Sequence, residues 1–190
     1  MKIPGFFLSI LILFSTALAQ DGPTIPNWVK PGVVVVYDAV SAFVNNGRFS
    51  QGIQTVLTTR VMSVNGNRVF GRTNVQTVGS PIGGTHDWSC TAAANCTTDA
   101  STLSGQFWVD PAHPTQSIHG ANGEIYSILG HGPYSYGGHT WDAVMLSYQN
   151  PQTGVQLTTT IEAKTGLVLA HSEVTPAQQV HVYFRSMKGQ

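Results

Sequence analysis

The chain has 190 residues, a length that suits one domain with a hydrophobic core. Nine Lys and Arg residues balance nine Asp and Glu residues, and charged residues make up only 9% of the chain. A chain without net charge offers no strongly basic surface for nucleic acid, and its apolar content of 42% argues against disorder.

The first residues have the pattern of an export signal. Lys2 precedes an almost continuous apolar stretch over residues 6–14, and Ala17-Leu18-Ala19 provides a small-x-small cleavage site. We therefore expect a signal peptide over residues 1–19, a single all-β domain over residues 20–190, and secretion to an extracellular or periplasmic location. A retained membrane anchor is the alternative, but the apolar run is short for a bilayer. We expect no membrane span after cleavage.

The first half of the mature chain is dominated by strand signals. Val and Thr are frequent, and residues 33–44 predict a strand that is buried on both faces where it begins. Residues 53–64 and 68–78 flank Asn65-Gly66-Asn67, and Asn-Gly is the strongest short hairpin signal because both residues tolerate positive φ. The pattern predicts a β-hairpin centred on Gly66.

The C-terminal third predicts a meander of four strands over residues 141–149, 155–162, 167–174 and 179–187. Lys164-Thr165-Gly166 would turn the chain between the second and third of these strands.

This turn sets a register that can be tested. Ile161 would face Val168, and the next pairs toward the other end of the hairpin would be Thr159 with Ala170 and Leu157 with Ser172. The opposite, largely wet face would carry Gln156, Thr158, Glu162, His171 and Glu173.

Residues 79–138 are rich in Gly, Pro, His and aromatic residues, and they predict a long loop-rich segment with a strand at 106–109 and another at 124–129. The segment would be either a set of short packed loops or a lid. The predicted fold is all-β, a curved antiparallel sheet (half-barrel or barrel) with this segment as a central crossover. The alternative is a β-sandwich.

The two cysteines, Cys90 and Cys96, predict a disulfide in an oxidising compartment. Two free thiols are the alternative, and the spacing does not favour a metal site. Asn95-Cys96-Thr97 matches the glycosylation pattern, which matters only in a eukaryotic secretory pathway. The sequence does not reveal the class of organism.

Motifs for catalysis are weak. There is no Gly-x-Ser-x-Gly, and in the register above Glu162 and Glu173 would lie about 20 Å apart on one face, too far for a glycosidase pair. Three other carboxylates have no predicted partner: Asp110, Glu124 and Asp142. Five histidines lie close together in sequence and could hold Zn or Cu if the loops converge: His86, His113, His119, His131 and His139.

Aromatic residues give the preferred functional interpretation. Trp108 and Trp141 are expected in the core, and Trp88 is expected to be exposed. Flat aromatic faces bind apolar ligands and sugar rings. The predicted ligand contacts are Trp88, Tyr134, Tyr136 and His139.

The sequence thus predicts a secreted, non-enzymatic binding protein for a small or extended apolar or amphipathic ligand. It predicts no catalytic residue and no cofactor, and its partner would be a small-molecule or lipid-like ligand rather than nucleic acid. One alternative is a histidine-dependent, metal-binding hydrolase, and another is a surface structural, adhesive or carbohydrate-binding protein. The ligand's identity and the oligomeric state stay open.

Overall fold

The computed structural model describes residues 22–45, 48–50, 52–81, 83–93, 96–98, 106–119 and 123–189, so the predicted signal peptide lies outside the described residues. These residues form one antiparallel sheet of eleven strands. Their bounds are β1 Val34–Asn45, β2 Arg48–Phe49, β3 Ile53–Asn65, β4 Arg68–Thr77, β5 Gly83–Thr91, β6 Cys96–Thr98, β7 Ser127–Tyr136, β8 His139–Asn150, β9 Val155–Glu162, β10 Val168–Val174 and β11 Gln178–Lys188. Within these ranges no helix is long or apolar enough to span a membrane.

The predicted all-β fold with one antiparallel sheet is confirmed. The strand order is β6-β5-β4-β3-β1-β11-β10-β9-β8-β7, with β2 paired to β1 only, so the sheet does not close into a barrel. The alternative of a two-sheet sandwich is wrong. The chain makes two meanders, β3 to β6 and β7 to β11, and the segment after β6 connects them. The first strand, β1, lies between them and pairs with both β3 and β11.

The predicted hairpin around Gly66 is confirmed. β3 and β4 pair from Asn65 and Arg68 outward, and Gly66 has a φ of 60°. A left-handed residue at this point suits glycine, because other residues place their Cβ too close to the backbone. The four predicted C-terminal strands are also present, as β8 to β11, with ends that differ by no more than two residues.

The predicted register between β9 and β10 is confirmed at its first pair, Ile161 with Val168, and then is wrong by one residue. The reason is a β-bulge at Leu169, which places one extra residue on β10. The observed pairs beyond the bulge are Ala170 with Thr160, His171 with Thr159, Ser172 with Thr158 and Glu173 with Leu157.

This bulge moves two polar residues to the other face of the sheet. Directly opposed residues share a face, so His171 lies beside Thr159 and Glu173 beside Leu157, on the buried side. The prediction that His171 and Glu173 lie on the wet face is therefore wrong, and Glu162 and Glu173 do not share a face.

The predicted loop-rich segment contains two strands that the sequence did not reveal, β5 and β6, and a third, β7, of which only the first residues were predicted. Residues 131–136 belong to β7, and Gly137 and Gly138, both with positive φ, form the two-residue turn into β8. The predicted strand at 106–109 is instead an extended segment with one bridge, Trp108 to Leu167. The strand predicted from residue 124 begins only at Ser127.

The two ends of the sheet are distinct, and we name them here. The closed end carries the β3–β4 and β9–β10 turns, and the open end carries the β1–β3 connection and the β8–β9 turn. The inner face is the face that bears the directly opposed residues Tyr37 and Leu57, together with Val182.

Residues 106–119 of the crossover cover the inner face at the closed end. Phe107, Trp108 and Val109 are at most 2% exposed. Their backbone bonds to the β9–β10 hairpin, because Val109 N–H donates to Gly166 and Val168 N–H donates to Phe107. The crossover is thus fastened to the sheet by hydrogen bonds as well as by apolar packing.

Candidate functional site

On β1 and β3 the inner face becomes more exposed from the closed end toward the open end, whereas on β8 and β9 Leu146 and Leu157 stay buried in a cluster with Tyr126. Along β1, Tyr37 is 5% exposed, Ala39 is 8% exposed, Ser41 is half-buried and Phe43 is 46% exposed. These residues alternate on one strand and share one face, so the trend follows a line of about 20 Å at the usual strand rise. β3, beside β1, changes in the same way from Leu57, which is 4% exposed, to Ile53 at 44%.

The side chains left uncovered at this end form a continuous surface, which we call the open inner face. It consists of Ser41, Phe43, Ile53, Val75 and Val180. Ser41 is directly opposite both Ile53 and Val180, so three strands contribute to it side by side. Val75 continues the surface onto β4, since it is opposite Leu57. Three uncharged polar residues lie among these side chains on the same face: Thr55 opposite Ala39, Thr77 opposite Thr55, and Gln178 opposite Phe43. The surface is therefore a mixture of apolar and uncharged polar side chains.

A polar cluster borders the open inner face on the side of β10. The Thr159 hydroxyl lies 2.9 Å from Nδ1 of His171, and the Tyr126 hydroxyl bonds to the same threonine. Thr159 is fully buried and Tyr126 is 3% exposed. Glu173, on the same face, is opposite Val180 of the open inner face. The cluster therefore places hydrogen-bonding groups at the edge of the open inner face.

The aromatic and imidazole groups of this cluster are uncharged near neutral pH. Burial, with the neighbouring His181, lowers the pKa of His171 to about 4. Burial likewise raises the pKa of Tyr126 to about 12, with Glu124 and Glu173 adding to the effect. The ionised groups that act on Tyr126 are thus carboxylates, which would repel an anionic ligand group.

Asp110 fastens the crossover to the N-terminal segment. The carboxylate is 5% exposed and accepts bonds from Thr24 N–H at 2.7 Å, the Thr24 hydroxyl at 3.1 Å and Ala112 N–H at 2.9 Å, with Nδ1 of His113 at 3.3 Å. Burial works to raise the pKa of Asp110, but these donors together hold it below its usual value. This carboxylate, for which the sequence predicted no partner, is structural.

The expectation that Trp88 is exposed is wrong. Trp88 is 4% exposed, packs against Phe107 and Trp108, and donates from Nε1 to the Thr73 hydroxyl at 3.1 Å. The physical reason is Gly71, directly opposite on β4, where a Cβ would overlap the Trp88 ring. The ring therefore lies over the glycine and fills the closed end. The predicted burial of Trp108 is confirmed.

The other predicted ligand contacts lie together at the end of the sheet opposite to the open inner face. Tyr134 packs on Trp141 and His139 packs on Trp141, while Tyr136 stacks on Tyr183 at 5.0 Å. Their register places them opposite Trp141 and His139 at the closed end of β7 and β8. They cannot cover the open end, although a role for them in binding another ligand stays a prediction.

The five histidines do not converge. Within the described residues, which include all five, no three His, Cys, Asp or Glu side chains are grouped as metal ligands. The predicted disulfide between Cys90 and Cys96 is present and joins β5 to β6. Asn95 lies outside the described residues.

The sequence analysis missed the cluster of Tyr126, Thr159 and His171. The signal that could have found it is the run Leu167-Val168-Leu169, where three consecutive apolar residues break the alternation of a half-buried strand. Such a run indicates either burial on both faces or a bulge, and a bulge here brings His171 to the inner face.

Comparisons with known proteins give weak structural likenesses. No family model matches the chain, and no curated protein matches it. A Bacteroides fragilis protein, described as a candidate exported protein with a YmcC-like fold, is similar with a TM-score of 0.48 and 8% identity over 89% of this chain and 100% of that one. A DUF1329 family protein from Desulfovibrio piger has a TM-score of 0.27 and 7% identity, covering 84% and 87% of the two chains. A candidate outer-membrane lipoprotein-sorting domain from Vibrio parahaemolyticus has a TM-score of 0.26 and 10% identity, covering 84% and 86%. At these values the likenesses assign the chain to no family.

Proposed function

We propose that this chain is an exported, non-enzymatic carrier that holds an amphipathic small molecule on the open inner face. The observation that carries the proposal is the gradient of exposure along β1 and β3, from a packed closed end to uncovered apolar side chains at Phe43 and Ile53. Apolar surface left uncovered inside a curved sheet is the usual environment for an apolar ligand, with a few polar groups to orient it.

The bordering polar cluster narrows the class of ligand. Half-buried His171, which is neutral, can exchange a hydrogen bond with a polar head, whereas Glu173 beside Val180 disfavours a negative one. The ligand expected from this chemistry has an apolar body and a neutral or cationic head, such as a long-chain alcohol, amide or amine.

Export is part of the proposal and has separate support. Residues 1–19 have the pattern of a signal peptide, and the Cys90–Cys96 disulfide is typical of oxidising compartments.

Binding of Nile red, a neutral apolar dye, would test the proposal, with dodecylamine and dodecanoate as competitors. We expect dodecylamine to displace the dye and dodecanoate to compete at least about tenfold more weakly, because a desolvated negative head beside Glu173 is disfavoured. Val180→Glu should weaken dye binding by about tenfold or more, since it places a charge on the open inner face.

Two variants control this test. Ser41→Trp fills the same surface without adding charge and should also weaken dye binding. Met62→Glu adds a charge near the closed end, at a residue that is 52% exposed, and should leave dye binding unchanged. Equal dye affinity in the wild type, Val180→Glu and Ser41→Trp, with unchanged thermal unfolding, would rule out the open inner face as the site.

A further inference from the structure

Exposed apolar side chains collect around the connections at the open end. Phe43, Phe49, Ile53 and Val78 are 46%, 54%, 44% and 57% exposed, and we call them the apolar tip. β1 and β2 form a small hairpin, and the β1–β3 and β4–β5 connections meet because Val78 N–H donates to Gln54 at 2.9 Å. Phe43 and Ile53 lie on the inner face, whereas Phe49, opposite Val44, lies on the other face of the β1–β2 hairpin. The apolar tip is therefore a set of exposed side chains on both faces of the sheet, at the ends of two neighbouring connections.

The β1–β2 hairpin extends beyond the pairing of β1 with β3. The last β1 residue paired with β3 is Ser41, whereas β1 continues to Asn45. On the side of β11 the pairing ends at Phe43, and Val44 N–H still donates to Ala177 in the β10–β11 turn. The apolar tip thus lies at one end of the sheet and not in a groove that would hold a partner helix or strand, which suits contact with a lipid layer.

Three backbone N–H groups of the described hairpin residues donate hydrogen bonds within the protein. Ser50 N–H donates to the Phe43 carbonyl at 2.8 Å, Phe43 N–H donates to the Ser50 hydroxyl at 3.0 Å, and Val44 N–H donates to Ala177 at 2.8 Å. Backbone groups that enter an apolar layer must be satisfied internally, because that layer offers no water. These bonds remove much of the cost that would otherwise oppose insertion.

The charge pattern around the apolar tip matches a phospholipid surface. Residues 39–59 contain a single charged side chain, Arg48, and residues 73–85 contain none. Arg48 lies in the same short strand as Phe49, so these two ranges carry one cation and no carboxylate, and the carboxylate beside them at the open end is Glu173, opposite Val180. An exposed aromatic residue next to a cation is typical of segments that lie in a membrane interface, where the cation reaches the phosphates.

We propose that the apolar tip docks the protein on a phospholipid bilayer, with Phe49 and its neighbours in the interface and Arg48 at the phosphate layer. Phe43 and Ile53 belong both to the apolar tip and to the open inner face, so docking would bring the mouth of that face to the membrane. The inference goes beyond the proposed carrier role, since the tip would dock whether or not the inner face holds a ligand.

Co-sedimentation with lipid vesicles tests this docking on protein shown by mass spectrometry to lack residues 1–19. We expect the wild type to sediment with phosphatidylcholine vesicles and more strongly with mixed phosphatidylcholine–phosphatidylglycerol vesicles. Phe49→Ser should lower binding to both about tenfold, because it removes a large apolar side chain from the interface. Arg48→Gln should lower binding to the mixed vesicles about fivefold and binding to phosphatidylcholine less.

Met62→Ser is the matched control, because Met62 is equally exposed but lies near the closed end, and it should leave vesicle binding unchanged. Wild-type protein that does not sediment with either vesicle overturns the proposal. A loss in Met62→Ser as large as that in Phe49→Ser also overturns it, as does a concentration-dependent dimer that Phe49→Ser abolishes without any vesicle binding. Nile red binding measured without vesicles reports the carrier role separately.

Discussion

The two ends of the sheet are made from the same strands but differ in what covers them. At the closed end the crossover lays Phe107, Trp108 and Val109 against the inner face, and the N-terminal segment adds Trp28, whose Nε1 donates to Thr165 at 2.7 Å. At the open end β1 and β3 end in half-buried and exposed apolar residues without such a cover among the described residues.

The difference indicates that the two ends of the sheet have separate roles. Packing at the closed end buries large aromatic residues, and burial of such area is the main favourable term in folding. Exposed apolar residues at the open end add little to stability, so that end can serve binding. Variants at matched residues of the two ends test this division directly.

The largest expected effect is the loss of an aromatic ring from the closed end. Phe107→Ala should lower the free energy of unfolding by about 3–5 kcal/mol, because the ring is 2% exposed and its removal leaves a cavity. Phe49→Ala, at the open end, should change it by no more than about 0.5 kcal/mol. Urea denaturation measures both, and similar losses in the two variants would contradict the division between the ends.

A smaller effect is expected from the carboxylate that fastens the crossover. Asp110→Ala should lower the free energy of unfolding by about 1.5–3 kcal/mol, since it removes a buried carboxylate that accepts hydrogen bonds from Thr24 and Ala112, and hydrogen bonds to charged groups contribute about that much. Asp87→Ala is the control, because Asp87 pairs with Arg72 at the surface and should matter little. Equal stabilities of the Asp110 and Asp87 variants would show that the crossover does not need this anchor.

The mildest effect is a dependence of stability on pH that comes from His171. Its pKa is about 4 in the folded protein against about 6.5 when unfolded, so the unfolded state binds the proton more readily. The free energy of unfolding should therefore fall as the pH drops from about 6.5 to about 4, on the order of 1 kcal/mol by pH ~5.5.

His171→Gln keeps a group that can bond to Thr159 but does not titrate, and it should flatten this dependence. Asp110 acts in a different window: its lowered pKa contributes stability that is lost as the pH falls below the ordinary aspartate value. If the free energy of unfolding changed by the same amount in the wild type and in His171→Gln between pH ~6.5 and ~4, His171 would not be the titrating group.

Local sequence patterns predicted much of the fold because the decisive signals lie within a few residues. Asn65-Gly66 set the β3–β4 hairpin, and clean alternation from Val155 to Glu162 set β9 with the observed bounds. The pairing of β1 with β11 could not be predicted, since it joins residues far apart in sequence.

The predictions that were wrong failed for specific physical reasons. Gly130, Gly132 and Pro133 resemble loop residues but lie on β7, an edge strand where one side of the backbone needs no partner. The burial of Trp88 could not be predicted from the local sequence, because the residues that cover it, Gly71 and Phe107, come from other parts of the chain. The candidate site could not be located because its boundary depends on where the crossover stops covering the sheet.

The position of β1 has a consequence for how the chain reaches its native state. β1 is the first strand in the chain and β11 the last, yet they pair side by side in the middle of the sheet. Until Gln178–Lys188 has been synthesised, both meanders expose an unpaired edge to other chains, and the sheet cannot be completed. Such a long-range closure is intrinsically slow, so a truncation near the C-terminus should leave chains prone to aggregate rather than a smaller stable sheet.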